Sequence, residues 1–214
     1  MPPASSVIQS RAGTKGVPRA DREAQIVRAA CEVFGTEGYA GTSVAAVAAR
    51  AGISKPLVYQ YFGSKEGLFC ACLHHGGQIL AGEMERVAAG DVVGLERALL
   101  TLDAIFHLLE PQPWLWRLFF DPGAPREGEI ADAVAGYTAR ITTLAIEGVG
   151  ELLRLQGDED PLDVDAMTRV WMSIFDALVT WWLDHPDEPA DAMTERCVRL
   201  FTAVTSADVP VRAR

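Results

Sequence analysis

Residues 42–69 read TSVAAVAARAGISKPLVYQYFGSKEGLF. In the first third of this stretch, valines and alanines recur at the i, i+3, i+4, i+7 spacing of one helix face. A second short helix follows, with Ser54 as its candidate N-cap and Pro56 in its first turn, where a missing N–H costs no intrahelical bond. Between the two helices, Gly52 is free to adopt the positive φ of a tight corner. The pattern predicts a helix-turn-helix over about residues 43–62.

The second of these helices is the candidate reader of the DNA major groove. Steps of 100° per residue place Val58 and Phe62 on its inner side. On the outer side, Lys55 and Gln60 offer hydrogen-bond donors to base edges, and apolar neighbours offer contact to a thymine methyl group. Hydroxyl groups, Lys65 and the amides at the helix start suit phosphates. The expected DNA-contacting residues are Thr42, Ser43, Ser54, Lys55, Pro56, Leu57, Tyr59, Gln60, Tyr61 and Lys65.

Several of these residues have an ordinary structural alternative. A tyrosine often buries its ring and leaves its hydroxyl in water, which would explain Tyr59 and Tyr61 without DNA. Lys55 and Lys65 could equally be solvated surface charges. We favour DNA contact for these lysines because the chain has only three lysines and two of them fall in this motif.

The same stretch resembles the tetracycline-repressor (TetR) family of transcriptional regulators. The resemblance lies in the TS opening, the AARAGIS turn, the YQYF helix and the following SKEGLF. It extends upstream to REAQIVRAACEVFGTEGYAGTS and so covers about residues 20–80. It implies an all-helical homodimer in which a three-helix DNA-binding domain is linked by a fourth helix to a larger C-terminal domain. It also implies, as is usual in the family, repression that a small effector relieves. Beyond residue 80 the match is only in helical style, so it identifies no effector.

The whole chain is predicted to be all-α, because helical spacing recurs to the C-terminal region and period-two alternation is never sustained. Breaks rich in proline and glycine, such as DPGAP, separate the predicted helices. We expect a flexible basic arm (1–20), a DNA-binding domain (21–80), a helical regulatory and dimerisation domain (81–206) and a tail (207–214). The helices predicted after residue 90 are 92–109, 113–120, 130–155, 164–183 and 190–204.

The net charge of −10 divides unevenly along the chain. Residues 1–70 hold eight Lys and Arg against five Asp and Glu, a net charge of +3, whereas residues 71–214 carry a net charge of −13. We therefore expect the N-terminal end to meet DNA, with strongly salt-dependent binding. The sequence has no signal-peptide pattern, no apolar run of membrane length and only four scattered cysteines, so a cytoplasmic protein with free thiols is expected.

The effector site is predicted from aromatic residues in the second half of the chain. All five tryptophans lie beyond residue 110, and four aromatic residues crowd the segment WLWRLFF at 114–120, which suits an apolar ligand cavity. Polar residues inside apolar helix faces are candidates for orienting a hydrophobic effector, although core packing or a satisfied buried hydrogen bond explains each about as well. The candidate set is His107, Trp114, Phe119, Tyr137, Arg140, Trp171 and Asp176.

The last two predicted helices, 164–183 and 190–204, carry broad apolar faces. Apolar stripes of this width need a partner, and the resemblance implies a two-fold dimer. We therefore expect these helices to form a four-helix bundle in a homodimer.

One cluster points to a different input signal. On a helix, Cys70 faces His74 and Cys72 faces His75, so a metal- or thiol-responsive regulator is an alternative. An enzyme that uses the aromatic residues is the least favoured interpretation. The sequence has no Gly-rich phosphate loop, no HExxH and no G-x-S-x-G motif, and no cofactor is expected.

Overall fold

The computed structural model describes residues 17–206, and within that range the chain forms nine helices and no strand. This confirms the all-α prediction for the described residues. The predicted basic arm up to residue 16 and the predicted tail at 207–214 lie outside them. Among the helices of the described range, none is long and apolar enough to cross a membrane. The helices are α1 (Arg19–Gly41), α2 (Val44–Arg50), α3 (Lys55–Phe62), α4 (Lys65–Ala88), α5 (Gly94–Leu109), α6 (Trp114–Phe119), α7 (Glu129–Leu155), α8 (Pro161–Leu183) and α9 (Ala190–Thr205).

The first hydrophobic core lies among α1, α2, α3 and the first half of α4. Phe34 of α1 and Phe69 of α4 meet edge to face at its centre, with 4.8 Å between their ring centroids. Val58 is fully buried, as the predicted inner side of α3 requires, and it is the sole residue of that helix to be so. Burial of one such side chain stabilises the fold by about 1.5–3 kcal/mol. The orientation of α3 therefore depends on how α1 and α4 pack around Val58.

The second core lies between the second half of α4 and helices α5, α6, α8 and α9. Phe106 and Trp182 pack within it with 5.2 Å between their ring centroids. Helix α4 belongs to both cores, because Leu73 is buried in the first and Leu80 in the second. The predicted domain boundary at residue 80 thus falls inside a continuous helix.

The short helix α6 joins the two cores. Leu118 is buried in the first core, and Leu115 and Trp116 are buried in the second. Trp114 packs against both cores and lies directly on Gly35 of α1. A Cβ atom at Gly35 would stand 2.2 Å from the Cβ of Trp114, so this approach of α6 to α1 requires glycine.

Three residues mark the helix ends in and before the helix-turn-helix. Ser43 caps α2, because its Oγ accepts the N–H of Ala46 at 3.1 Å. Ser54 occupies the N-cap position of α3 as predicted, although its side chain makes no capping hydrogen bond. The chain turns at Gly38, where φ is +72°, and helical residues follow as far as Gly41.

Gly35→Ala tests the approach of α6 to α1. Alanine favours a helix over glycine by about 1 kcal/mol, so the change would stabilise α1 if nothing lay in its way. Because the new Cβ would overlap Trp114, we expect the free energy of unfolding in urea to fall by about 1–3 kcal/mol instead. Gly82→Ala in α4 is the matched control, since a Cβ there meets nothing within 4 Å, and we expect it to be neutral or stabilising. Equal effects of the two substitutions would contradict this packing.

Candidate nucleic-acid interface and ligand cavity

The outer face of α3 is open to solvent. Lys55, Pro56 and Gln60 are exposed, and Tyr59 keeps 40% of its surface accessible. Leu57 is half-buried. The structure therefore brings the predicted base-contacting residues to one accessible surface, opposite the side that packs on the first core.

Two cations near α3 lie beside aromatic rings. The guanidinium carbon of Arg19 is 5.2 Å from the ring centroid of Tyr61, and Nζ of Lys55 is 5.8 Å from that of Tyr59. Such cation–π contacts are worth about 0.5–1 kcal/mol at exposed sites, and they place a charge without neutralising it. Tyr61 is also half-buried against the first core, which matches the structural alternative for that ring.

The structure separates the two hydroxyls that precede α2. Thr42 is only 3% exposed, and its hydroxyl donates to the backbone carbonyl of Val33 at 3.4 Å. It is therefore turned away from solvent, which corrects the expectation that it contacts a phosphate. Ser43 is exposed, and as an N-cap it accepts the N–H of Ala46. Its own hydroxyl proton remains free to donate to a phosphate.

A chain of hydrogen bonds connects the loop after α6 to the start of α4. The carboxylate of Asp121 accepts the backbone N–H of Tyr39 and, at 2.8 Å, that of Gly123. The Tyr39 hydroxyl donates to Oε1 of Glu66 at 3.0 Å, and burial together with this bond raises the pKa of Tyr39 to about 12. Nζ of Lys65 lies 4.5 Å from the Tyr39 ring centroid. Sequence spacing did not reveal this network, because Tyr39 and Asp121 are 82 positions apart.

An apolar cavity of about 420 Å³ lies between α4, α5, α7, α8 and α9. Its size and apolar walls suit a small hydrophobic ligand. Among residues 17–206, Arg97 is the one charged residue in its wall, and Nη2 of Arg97 is 2.5 Å from Oε2 of Glu151. Sequence spacing does not reveal Arg97, because it is an ordinary polar position in the pattern of α5. Of the seven predicted effector residues, Trp171 lines the cavity. The other large side chains of the wall include Met84, Ile141, Leu144, Phe175 and Phe201.

Two predicted effector residues lie at the surface, away from this cavity. Nδ1 of His107 is 2.9 Å from the backbone carbonyl of Asp103, and Nε2 is 3.1 Å from Oδ1 of Asp191. Arg140 is exposed, and its Nε donates to Oε1 of Glu85 at 2.5 Å. Both residues therefore lie outside this cavity, and each is engaged in a pair that joins two helices.

The remaining four predicted effector residues pack between helices outside this cavity. Trp114 lies on α1. The Tyr137 hydroxyl donates to the backbone carbonyl of His74 at 3.1 Å, and Phe119 meets the Tyr137 ring edge to face with 6.0 Å between centroids. Oδ1 of Asp176 is buried without a hydrogen-bond partner among residues 17–206.

The four candidate residues of the metal- or thiol-responsive alternative do not form a common metal site. They are Cys70, Cys72, His74 and His75. In the described part of the chain, no group of three or more His, Cys, Asp or Glu is arranged to hold a metal ion. Cys72 is fully buried with Sγ 3.9 Å from the carbonyl of Val27, whereas His74 is exposed. Burial raises the pKa of Cys70 and of Cys72, which disfavours the reactive thiolate, and burial lowers the pKa of His75.

An N-terminal helix-turn-helix followed by a larger helical core with an apolar cavity defines a DNA-binding transcriptional regulator. The sequence profile of the family "Bacterial regulatory proteins, tetR family" matches residues 26–72. The chain is 31% identical over 175 residues to the HTH-type transcriptional activator FasR of Mycolicibacterium smegmatis, covering 82% of this chain and 78% of FasR. The chain belongs to the TetR family of bacterial regulators.

Other relatives agree with this assignment. The chain is 37% identical over 81 residues to the HTH-type transcriptional repressor Rv3405c of Mycobacterium tuberculosis, covering 38% of this chain and 42% of that protein. The crystal structure of FadR from Bacillus subtilis in complex with stearoyl-CoA aligns with a TM-score of 0.67 and 20% identity, over 80% of this chain and 95% of FadR. FadR from Bacillus halodurans, a fatty acid degradation regulator, aligns with a TM-score of 0.68 and 18% identity, over 83% and 96%. These two likenesses establish the shared fold.

His107→Ala tests the surface pair that joins α5 to α9. The hydrogen bond to the Asp103 carbonyl, with the carboxylates of Asp103 and Asp191, raises the pKa of His107 above its ordinary value of 6.5. A raised folded pKa gives stability that is fully present below the unfolded pKa and is lost as the pH rises through the folded pKa. We expect His107→Ala to lower the free energy of unfolding by less than about 1 kcal/mol at pH 5.5, because solvent screens the pair. The loss should be smaller at pH 8.5. A loss that is the same at both pH values would argue against the charged pair.

Proposed function

We propose that this regulator is a repressor that leaves a palindromic operator when a small hydrophobic molecule occupies the 420 Å³ cavity. The observation that carries the proposal is α6, which is buried partly in the core beside that cavity and partly in the core that holds α3. The relatives compared above are transcriptional regulators, so we assign a binding role and no catalytic one. FasR is named an activator and Rv3405c a repressor, and a promoter–reporter assay with the gene deleted tests the sign of regulation.

For the DNA contacts, we assign Lys55 and Gln60 to base edges and the hydroxyls and Lys65 to phosphates. Exposure of the outer face of α3 supports this assignment. The Ser54 hydroxyl, which is not used as a cap, is free to donate to a phosphate. The proposed contact set is Ser43, Ser54, Lys55, Pro56, Leu57, Tyr59, Gln60, Tyr61 and Lys65.

For the dimer, we assign the interface to α8 and α9. Apolar residues with 41–75% of their surface exposed run along both helices, and an apolar surface of this extent is unusual for a monomer. In a two-fold dimer the recognition helices must be spaced to match the DNA repeat of about 34–36 Å, so a change in their separation weakens binding. The exposed apolar residues of the two helices are Leu162, Met167, Val170, Trp181, Val198, Leu200 and Val204.

For the effector, we assign a compound with an acyl chain. The cavity walls are apolar along five helices, and one structural neighbour binds stearoyl-CoA. Trp171 and Phe175 of the cavity wall meet edge to face, and Phe175 packs against Trp116 of α6 with 6.0 Å between ring centroids. Occupation of the cavity would therefore press on side chains that contact α6.

Lys55→Ala combined with Tyr59→Ala tests the DNA contacts. We expect the double variant to bind the upstream intergenic operator about tenfold or more weakly than wild type, because a base contact and a phosphate contact are lost. Fluorescence anisotropy with labelled operator DNA measures the effect. Arg199→Ala is the control, since it removes an exposed cation of α9 far along the chain from α3. Unchanged binding by the double variant would contradict the assignment.

Val198→Arg tests the dimer face. Val198 is 44% exposed on α9, and a charge there would have to be buried in the proposed interface. We expect the variant to shift toward monomer in sedimentation velocity at a concentration where wild type is dimeric. Val93→Arg, at a residue that is 40% exposed outside α8 and α9, should leave the dimer intact. Dissociation by both variants, or by neither, would argue against this interface.

Ala98→Trp tests the cavity as the effector site. Ala98 lies in the cavity wall on α5, and an indole ring there would fill the space that a ligand needs. Stearoyl-CoA should weaken operator binding by wild type and leave operator binding by Ala98→Trp unchanged. Ala139→Trp on the exposed side of α7 is the control and should respond like wild type. An equal response by Ala98→Trp would place the effector elsewhere.

A further inference from the structure

The guanidinium of Arg97 has unused hydrogen-bond donors at the cavity. Its ion pair with Glu151 engages Nη2, and 15% of the side-chain surface stays accessible. A guanidinium carries five N–H donors. Within residues 17–206, Nε and Nη1 donate no hydrogen bond to a protein group. Neither nitrogen is among the fully buried polar atoms that lack a partner, so both retain some solvent-accessible surface. Arg97 lines the cavity, so these donors lie beside the space that a ligand would occupy.

The backbone is shaped to hold this guanidinium. A Cβ atom at Gly148 of α7 would lie 3.1 Å from Nη2 of Arg97, which is tighter than an ordinary contact. The glycine thus leaves room for the guanidinium between α5 and α7. A charged group in a largely apolar wall is costly unless it is paired, and Glu151 is the partner that the ion pair supplies.

We propose that the cavity selects an amphiphile with an anionic head group, which Arg97 binds through the Nη1 end of its guanidinium while Glu151 pairs with Nη2. The planar fork of arginine matches both carboxylate and phosphate oxygens, so the head group is either the carboxylate of a fatty acid or a phosphate of an acyl-CoA. A neutral amphiphile of the same chain length gains nothing from Arg97. This inference rests on the proposed function, because it specifies the ligand of the same cavity.

The test is isothermal titration of the full chain with decanoate and 1-decanol, which share a chain length and differ in charge. Hydrogen bonds to a charged group are worth enough to give wild type about a tenfold or greater preference for decanoate. Arg97→Met keeps a long apolar side chain, so it should remove this preference and leave the affinity for 1-decanol unchanged. Decanoyl-CoA forms a third arm. Tighter binding of the thioester than of decanoate, lost in Arg97→Met, identifies phosphate as the head group that Arg97 binds.

Glu151→Gln is a second variant that tests the same proposal if Arg97→Met does not fold. This substitution removes the competing negative charge and retains a hydrogen-bond acceptor for Nη2. It should raise the affinity for the anionic compound several-fold and leave the affinity for 1-decanol unchanged. Circular dichroism melting checks that each variant is folded.

The outcomes separate this inference from the proposed function. Equal binding of decanoate, decanoyl-CoA and 1-decanol by wild type would overturn the role of Arg97 while leaving a hydrophobic effector in place. So would an equal loss of affinity for all three compounds in Arg97→Met, since the arginine would then only shape the cavity. Absence of binding by all three compounds, together with an identical operator response in wild type and Ala98→Trp, would overturn the head-group inference and the proposed cavity alike.

Discussion

The contact between Trp114 and Gly35 is the constraint on which the arrangement of the two cores depends. A six-residue helix sits between them, and it reaches α1 only because Gly35 lacks a side chain. Close-packed interiors resist compression and transmit displacement, so a shift of α6 in one core must be met by a shift in the other. Helix α4 provides the second connection, since it is continuous through both cores.

A polar connection runs beside this apolar one. Asp121, two residues after α6, holds the backbone of Tyr39, and the Tyr39 hydroxyl holds Glu66 in the first turn of α4. That turn follows α3 directly. Because Val58 is the one fully buried residue of α3, the recognition helix has little packing of its own with which to keep its orientation. The position of α3 therefore depends on α1 and α4. These are the two helices that α6 and the loop after it contact, through Trp114 and through the Asp121–Tyr39–Glu66 hydrogen bonds.

The local parts of this structure were predictable from sequence, and the long-range parts were not. The helix-turn-helix depends on caps and apolar residues within seven positions of one another, so spacing revealed it, and the inner side of α3 with it. His107 and Arg140 looked buried because they stand in apolar helical patterns, yet their partners Asp191 and Glu85 lie on other helices. The cavity is likewise a gap left when five helices pack, and no single segment encodes its shape.

The uneven charge limits how an effector can act on DNA binding. Residues 71–214 already carry a net charge of −13, so one more anion in the cavity adds little to a repulsion that salt screens beyond about 8 Å. An electrostatic effect at α3 would therefore be weak, so the proposed coupling requires a change in packing, for which α6 and α4 provide the connections between the two cores. Coupling free energies between sites are typically about 1–3 kcal/mol and are reciprocal. If the proposed effector weakens DNA binding by a given factor, then operator DNA weakens effector binding by the same factor.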